Sequence, residues 1–315
     1  MALLNVLNII LPVFLVVGLG SLLRYLGLLD GGFFHQANRL VYFVCLPSLL
    51  FYKIGTADFH NTFNGPMVLG ASAALVAGFA VSYLYAAWRP YPKGDIGTFS
   101  QGAFRANLAY IGLPIVFSAY GETALARAGM LMGCLVPLLN LLSILALLLP
   151  YFKGRCEGEQ SLSLKRDLLY NPLVIGALLG LSWSFFDLPL PAPAASVLDL
   201  LARVALPLAL IAIGGGFSLQ KLRGDLRKAL LASLFKTLAM PLATFLFLRL
   251  LQVRGLDFNL AILMAGAPTA AASYVTAHQM RGNAELAGSI IMLSTLISVA
   301  SYTVLLLWLG NRLVG

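Results

Sequence analysis

The chain has 315 residues, of which 60% are hydrophobic and only 10% are charged. A water-soluble domain carries about 25% charged residues, so this composition excludes a soluble enzyme or soluble binding module as the main body of the chain. The net charge is +9, but Lys and Arg stand in short clusters between apolar runs. Such clusters are typical of membrane topology signals rather than of a nucleic-acid-binding face.

Ten apolar segments predict ten transmembrane helices, since a spanning helix needs about 20 apolar residues. Turn sequences rich in Gly, Pro and charged residues separate them. The predicted spans, numbered 1 to 10, are 4–24, 36–55, 64–88, 98–119, 123–150, 168–186, 195–217, 227–250, 257–279 and 284–311. The polar stretch 151–167 is predicted to be a cytoplasmic loop that connects two five-helix domains, 1–150 and 168–315.

The distribution of basic residues predicts an orientation. When Lys and Arg are assigned to alternating sides of the ten spans, fourteen fall on one side and six on the other. Positive charge marks the cytoplasmic side of a membrane protein. We therefore expect both termini to lie outside the cytoplasm.

The two halves also show internal similarity. A shift of 160 residues superposes Pro12 on Pro172, Gly20 on Gly180, Pro47 on Pro207 and Gly55 on Gly215. In the later part of each half, a shift of 154 residues superposes Gly112 on Gly266, Pro114 on Pro268 and Tyr120 on Tyr274. Because each half has an odd number of spans, the second half is predicted to be inverted relative to the first, as in many secondary transporters.

Spans 4 and 9 are predicted to be interrupted helices, because each carries a proline inside an apolar stretch. Proline removes a backbone donor, and unpaired backbone groups are tolerated in lipid only against protein or a wet cavity. Paired interruptions indicate a transport site at the membrane centre, and the alternative is an ordinary proline kink. The predicted crossover residues are Gly112, Pro114, Gly266, Pro268, Pro47 and Pro207.

Asn107 is the leading candidate for a substrate contact, since it lies near the middle of span 4 and a carboxamide can donate to a carboxylate. The alternative is a bond between helices. Arg105 and Lys236 lie at depth in spans 4 and 8 and suit an anionic substrate, although both side chains are long enough to snorkel. Further neutral donors near the prolines are Ser48, Asn140, Thr269 and Ser273.

The acidic residues argue against cation exchange. All twelve are predicted to lie in loops or close to span ends, whereas a cation exchanger needs an intramembrane carboxylate. The sequence shows no phosphate loop, metal-ligand set or hydrolase signature. We expect a protein that is not an enzyme and uses no cofactor, metal or nucleic acid, with a small organic anion and the bilayer as partners; a homodimer is left open.

These segments resemble the auxin efflux carrier family of bacteria and plants. The resemblance covers most of the chain and is carried by LPSLLF at 46–51, NLAYIGLP at 107–114 and GAPTAAASYVTAHQM at 266–280. It implies an all-α membrane fold of ten helices in two inverted five-helix repeats with broken, crossing helices 4 and 9, similar to sodium/proton antiporters and bile acid transporters. Spans 1, 2, 6 and 7 then form a scaffold, and spans 3–5 and 8–10 a transport domain that moves like an elevator.

Family members move organic acid anions, and Asn107 matches their crossover asparagine. The resemblance implies a permease for malonate, malate or auxin-like carboxylates in the bacterial cytoplasmic membrane. Ala106 stands where plant members carry a proline, and their long central loop is lacking; both departures count against auxin itself. The alternatives are a sodium or proton antiporter on the same fold and a membrane receptor without flux.

Overall fold

The computed structural model describes residues 3–151, 171–216 and 225–311, and its regular elements there are helices. The predicted connecting loop lies outside these residues, except for Tyr151. The α-helices are α1 (Leu3–Tyr25), α2 (Gly31–Leu40), α3 (Leu46–Gly55), α4 (Phe59–Thr62), α5 (Gly65–Trp88), α6 (Lys93–Phe104), α7 (Leu113–Leu148), α8 (Pro172–Phe185), α9 (Ala192–Gly216), α10 (Leu226–Leu234), α11 (Met240–Leu250), α12 (Gly255–Gly266), α13 (Ala272–Gln279) and α14 (Ala284–Asn311).

Three π turns in the described residues continue helices rather than end them. Val41–Cys45 joins α2 to α3, Phe235–Ala239 joins α10 to α11, and Leu108–Gly112 leads into α7. Such turns are frequent at functional sites. Gly121 has non-helical backbone angles (φ 76°, ψ −160°) and divides α7 into two helices across a kink.

The helices are apolar enough to lie in a membrane. Within the described residues, six helical stretches are long and apolar enough to cross one: Leu3–Tyr25, Gly65–Trp88, Leu108–Tyr151, Ala192–Gly216, Leu226–Leu250 and Ala284–Gly310. Two further apolar helices, α8 and α12, are shorter. Large apolar side chains such as Leu4 and Leu15 are 70% and 65% exposed, which suits contact with lipid. The chain is therefore an all-helical integral membrane protein, as its composition predicts.

The helices pack into two groups. In the first packing group, α1 lies along α9 and α3 lies along α8, while α2 and α3 also contact α9. In the second packing group, α5 contacts α6 and α11, α10 contacts α14, and α12 contacts α7 and α11. The first group consists of α1–α3, α8 and α9, and the second of α5–α7 and α10–α14.

Glycines allow the closest helix contacts in the first packing group. A Cβ atom at Gly20 of α1 would overlap the backbone carbonyl of Ile211 in α9. A Cβ atom at Gly180 of α8 would lie 3.1 Å from the carbonyl oxygen of Phe51 in α3. The helices approach at these points because no side chain separates them.

We expect Gly20→Ala to destabilise the protein by about 1–3 kcal/mol, because the added methyl group forces α1 away from α9. The measurement is the melting temperature of the purified protein in detergent. Gly18→Ala is the matched control on the same helix, since a Cβ atom there meets nothing within 4 Å. Equal melting temperatures of the two variants would contradict the close contact.

Candidate functional site

Two helices stop inside the molecule, and the chain segments that follow them pair with each other. The residues after α6 and after α12 leave the helical conformation and form an isolated antiparallel bridge. The amide of Asn107 donates to the carbonyl of Pro268 at 2.8 Å, and the amide of Ala270 donates to the carbonyl of Arg105 at 2.9 Å. These bonds satisfy backbone groups that would otherwise be unpaired in a membrane. We call this paired region the crossing.

The interruption of span 4 lies before the predicted proline. Gly112 ends a π turn and Pro114 lies in the first turn of α7, so both have helical backbone. Proline is tolerated at a helix start, because the donor it lacks has no partner there. In span 9, Gly266 ends α12 and Pro268 lies in the break itself.

The two broken helices have equal lengths. The helices α6 and α12 both have 12 residues, and their first residues, Lys93 and Gly255, are 162 residues apart. This spacing differs from the offset of 154 residues that the glycines and prolines predict. The predicted offset aligns Pro114, which follows the break in span 4, with Pro268, which lies within the break in span 9.

Side chains cap the carbonyl ends of both broken helices. Thr269 Oγ1 donates to the carbonyl of Gly102 in α6 at 2.7 Å. Lys236 Nζ donates to the carbonyl of Ala265 in α12 at 2.6 Å. The carbonyl end of a helix carries partial negative charge, which a cation stabilises. Lys236 is 0% exposed, so its ammonium group points into the protein and does not snorkel.

Arg105 follows α6 directly, and its guanidinium group is held by neutral oxygens. It donates to Thr276 Oγ1 at 2.8 Å, to Asn140 Oδ1 at 2.8 Å and to Gln101 Oε1 at 3.4 Å. Arg105 is only 9% exposed. Three of its five N–H donors are used in these bonds, and the other two have no acceptor in the described part of the chain.

Two more predicted residues bring unused polar atoms to the crossing. Asn107 accepts from the amide of Tyr110 through Oδ1 at 3.3 Å, and its Nδ2 has no partner among the described residues. The Ser273 hydroxyl, in the first turn of α13, is buried and has no partner there either. The backbone carbonyl of Ser273 accepts from Gln101 Nε2 at 3.0 Å.

The remaining predicted residues lie in the first packing group. Ser48 and Pro47 stand in α3, where the carbonyl of Pro47 faces Gly176 of α8. Pro207 stands in α9 and, with Pro114, lines a cavity of about 290 Å³ between α1, α3, α7 and α9. The structure thus brings together five predicted residues at the crossing: Arg105, Asn107, Asn140, Thr269 and Ser273. Lys236 lies next to them at the end of α12. Ser48, Pro47 and Pro207 lie in the first packing group instead.

Two of the acidic residues predicted near span ends are buried in ion pairs. Asp257, in the first turn of α12, is 8% exposed. It accepts from Arg127 Nη1 at 2.9 Å and from Asn64 Nδ2 at 2.7 Å. Asn64 also caps α5 through its Oδ1. This carboxylate therefore joins the starts of α5 and α12 to Arg127 of α7.

Asp95 has the corresponding place in the first turn of α6, 162 residues before Asp257. It accepts from Lys228 Nζ at 2.7 Å and from Asn283 Nδ2 at 2.9 Å. The backbone amide of Lys228 donates to Asp225, and this bond holds the pKa of Asp225 below its ordinary value. Because α6 and α12 reach the crossing antiparallel, the two carboxylates lie at opposite ends of the molecule, away from the crossing.

Several of these contacts were missed from the sequence alone. Gln101 stands four residues before Arg105, a spacing that places both on one helix face and could have been noticed. Thr276 is 171 residues from Arg105, and no local pattern predicts that bond. The partners of Asp95 and Asp257 are also distant in sequence, at separations of 130 to 193 residues.

We expect Asp257→Asn to lower stability by about 1.5–3 kcal/mol, because a buried charged hydrogen bond to Arg127 is lost. Asp199→Asn is the control, since Arg203 in that pair is 76% exposed and surface pairs contribute about 0–1 kcal/mol. Thermal melting in detergent measures both. If Asp199→Asn loses as much stability as Asp257→Asn, the buried pair stabilises the protein no more than the exposed pair does.

The fold and the site define a membrane-embedded helical protein with buried cations and neutral donors at its centre. A family model described as membrane transport protein matches residues 5–306. The chain belongs to this family, the auxin efflux carrier family.

Three relatives extend the similarity along whole chains. An uncharacterised transporter of Methanothermobacter thermautotrophicus is 29% identical over 93% of this chain and 94% of its own length. An uncharacterised transporter of Methanocaldococcus jannaschii is 22% identical over 96% and 97%. A protein of Rhizobium meliloti whose name proposes it as a malonate transporter is 24% identical over 95% and 94%.

Proposed function

We propose that the protein is a secondary carrier for small organic acid anions, with its substrate site at the crossing. The observation that carries this proposal is the environment of Arg105, a buried cation that bonds only neutral oxygens in the described residues. An unpaired buried charge is costly unless a counter-charge arrives. A carboxylate substrate supplies that charge and matches the planar guanidinium group.

The helix ends at the crossing favour the same sign of charge. Lys236 neutralises the carbonyl end of α12, while the amide ends of α13 and of the π turn before α7 begin at the crossing. Helix amide ends attract anions. Asn107 Nδ2 and the Ser273 hydroxyl add two unpartnered neutral donors there, and we assign both to substrate binding.

The architecture that we propose is two inverted repeats of five spans. Besides α6 and α12, the glycine contacts support it: Gly20 faces Ile211, and Gly180 faces Phe51. Each residue of one contact is 160 residues from a residue of the other, as a two-fold relation requires. The 36 residues of α7 would extend about 54 Å, well beyond the hydrocarbon thickness of about 30 Å, so we assign its first part to the end of span 4 and the rest to span 5, with a turn at Gly121.

The two packing groups support an elevator-like motion. We assign the first group as a scaffold and the second as the transport domain that carries the crossing. Side-chain bonds between the groups in the described residues include Lys53 to Glu122 at 2.9 Å and Tyr110 to Asn38 at 2.7 Å. Much of the remaining contact is between apolar side chains, and such surfaces can slide with few directional bonds to break.

The substrate class follows from the site and from one relative's name. Malonate and related dicarboxylates are our leading substrates, because the Rhizobium meliloti relative is named for malonate. Placement in the cytoplasmic membrane with both termini outside rests on the distribution of basic residues. A sodium or proton antiporter would need a carboxylate at the crossing, whereas the buried carboxylates of Asp95 and Asp257 lie at the far ends of α6 and α12.

We expect Arg105→Gln to weaken anion binding about 10- to 100-fold, because the charge-assisted bonds to the carboxylate contribute about 1.5–3 kcal/mol. Arg105→Lys should fall between this variant and the unchanged protein, since an ammonium group lacks the bidentate fork. Labelled malonate, malate and indole acetate are offered to proteoliposomes over a concentration series.

Arg249→Gln is the matched control, because Arg249 is exposed on α11 of the same packing group. Asn107→Ala should also reduce uptake. Full activity in both Arg105→Gln and Asn107→Ala, or no transport of any organic anion by the unchanged protein, would reject the proposed site.

A further inference from the structure

We infer that Arg105 and Lys236 are both positively charged and lack a counter-charge when the crossing is empty, so that a dianion crosses the membrane as a neutral complex and anion exchange outpaces net transport. The inference rests on the proposed function and adds the charge of the preferred substrate and the step that limits the cycle.

The buried carboxylates at the two ends of the second packing group have basic partners. Asp95 pairs with Lys228 at 2.7 Å, and Asp257 pairs with Arg127 at 2.9 Å. Each pair lies near the start of a broken helix, and Lys228 Nζ is also 3.2 Å from the exposed carboxylate of Asp225. The buried carboxylates of the described residues are therefore compensated away from the crossing and are not available to balance charge there.

The basic side chains at the crossing have only neutral partners. Within the described residues, Arg105 donates to a hydroxyl and two amide oxygens, and Lys236 donates to a backbone carbonyl. Neither forms an ion pair within the described residues. Since Lys236 is 0% exposed and Arg105 is 9% exposed, water screens these charges poorly.

The first half has no basic residue at the position that corresponds to Lys236. The residue 162 positions before Lys236 is Ala74 of α5, which is also fully buried. The carbonyl end of α6 is capped by the neutral hydroxyl of Thr269, whereas that of α12 is capped by an ammonium group. Backbone capping therefore does not require a charge, and Lys236 adds one to the second half alone.

These charges raise the energy needed to move the transport domain across the membrane. A charge that crosses the membrane field does electrical work, and an unpaired charge is also costly inside the membrane. With a dianion bound, the sum over Arg105, Lys236 and substrate is zero. With a monoanion it is +1, and with no substrate it is +2. Return of the empty domain is thus the slow step of net transport. An anion that binds on the opposite side lets the domain return loaded, so exchange avoids this step.

The experiment compares exchange with net uptake in proteoliposomes. Labelled malonate is added outside vesicles that contain either unlabelled malonate or buffer, and a potassium gradient with valinomycin sets the membrane potential. We expect exchange to be at least about tenfold faster than net uptake. Exchange should be insensitive to the potential, whereas an inside-negative potential should slow net uptake, because the empty domain then returns outward with positive charge.

Lys236→Met tests the second charge. With one charge removed, the complex with a monoanion becomes neutral, so the ratio of malonate exchange to monomethyl malonate exchange should fall at least about tenfold. Lys236→Arg keeps the charge and should keep the ratio. Lys93→Met removes an exposed lysine at the start of α6 and should also keep it.

The outcomes separate this inference from the proposed function. Absence of any organic anion transport by the folded, unchanged protein overturns the proposed function. Malonate transport with equal rates of exchange and net uptake overturns the inference alone, and so does an unchanged substrate ratio in a folded Lys236→Met variant. If that variant does not fold, the comparison of exchange with net uptake in the unchanged protein still decides.

Discussion

A backbone that leaves the helical conformation inside a membrane must find hydrogen-bond partners within the protein, and this requirement shapes the centre of the molecule. The segments after α6 and α12 satisfy it by pairing with each other, through the amide of Asn107 on Pro268 and the amide of Ala270 on Arg105. The pairing fixes the two broken helices antiparallel. It also brings their carbonyl ends together with the amide ends of the following helices.

The ends of four helical segments meet at the crossing, so their partial charges must be compensated there. Thr269 and Lys236 cap the two carbonyl ends, and Arg105 lies where α6 stops. The carboxylates of Asp95 and Asp257 are instead held at the distant starts of the same helices by basic and amide partners. Positive charge is therefore concentrated at the crossing, and this separation of charge is the physical basis for the proposed anion site.

Much of the fold follows from local sequence, but the site does so only in part. Apolar runs predict α1, α5, α9 and α14 to within a few residues, because a membrane span is a local property. The break of span 4 is different, since Pro114 is compatible with a helix start and the interruption at 105–107 is stabilised by residues 268–270. The bonds of Arg105 to Asn140 and Thr276 likewise depend on how distant helices pack, which no local pattern records.

The central claim is that the buried cations of the crossing form the anion site, and an experimentally determined structure with bound malonate tests it most directly. We expect density for the dicarboxylate at the crossing, with a carboxylate oxygen within hydrogen-bond distance of Arg105 and of Asn107 Nδ2. Density confined to the cavity lined by Pro114 and Pro207, with Arg105 still bonded only to its neutral partners, would contradict the account.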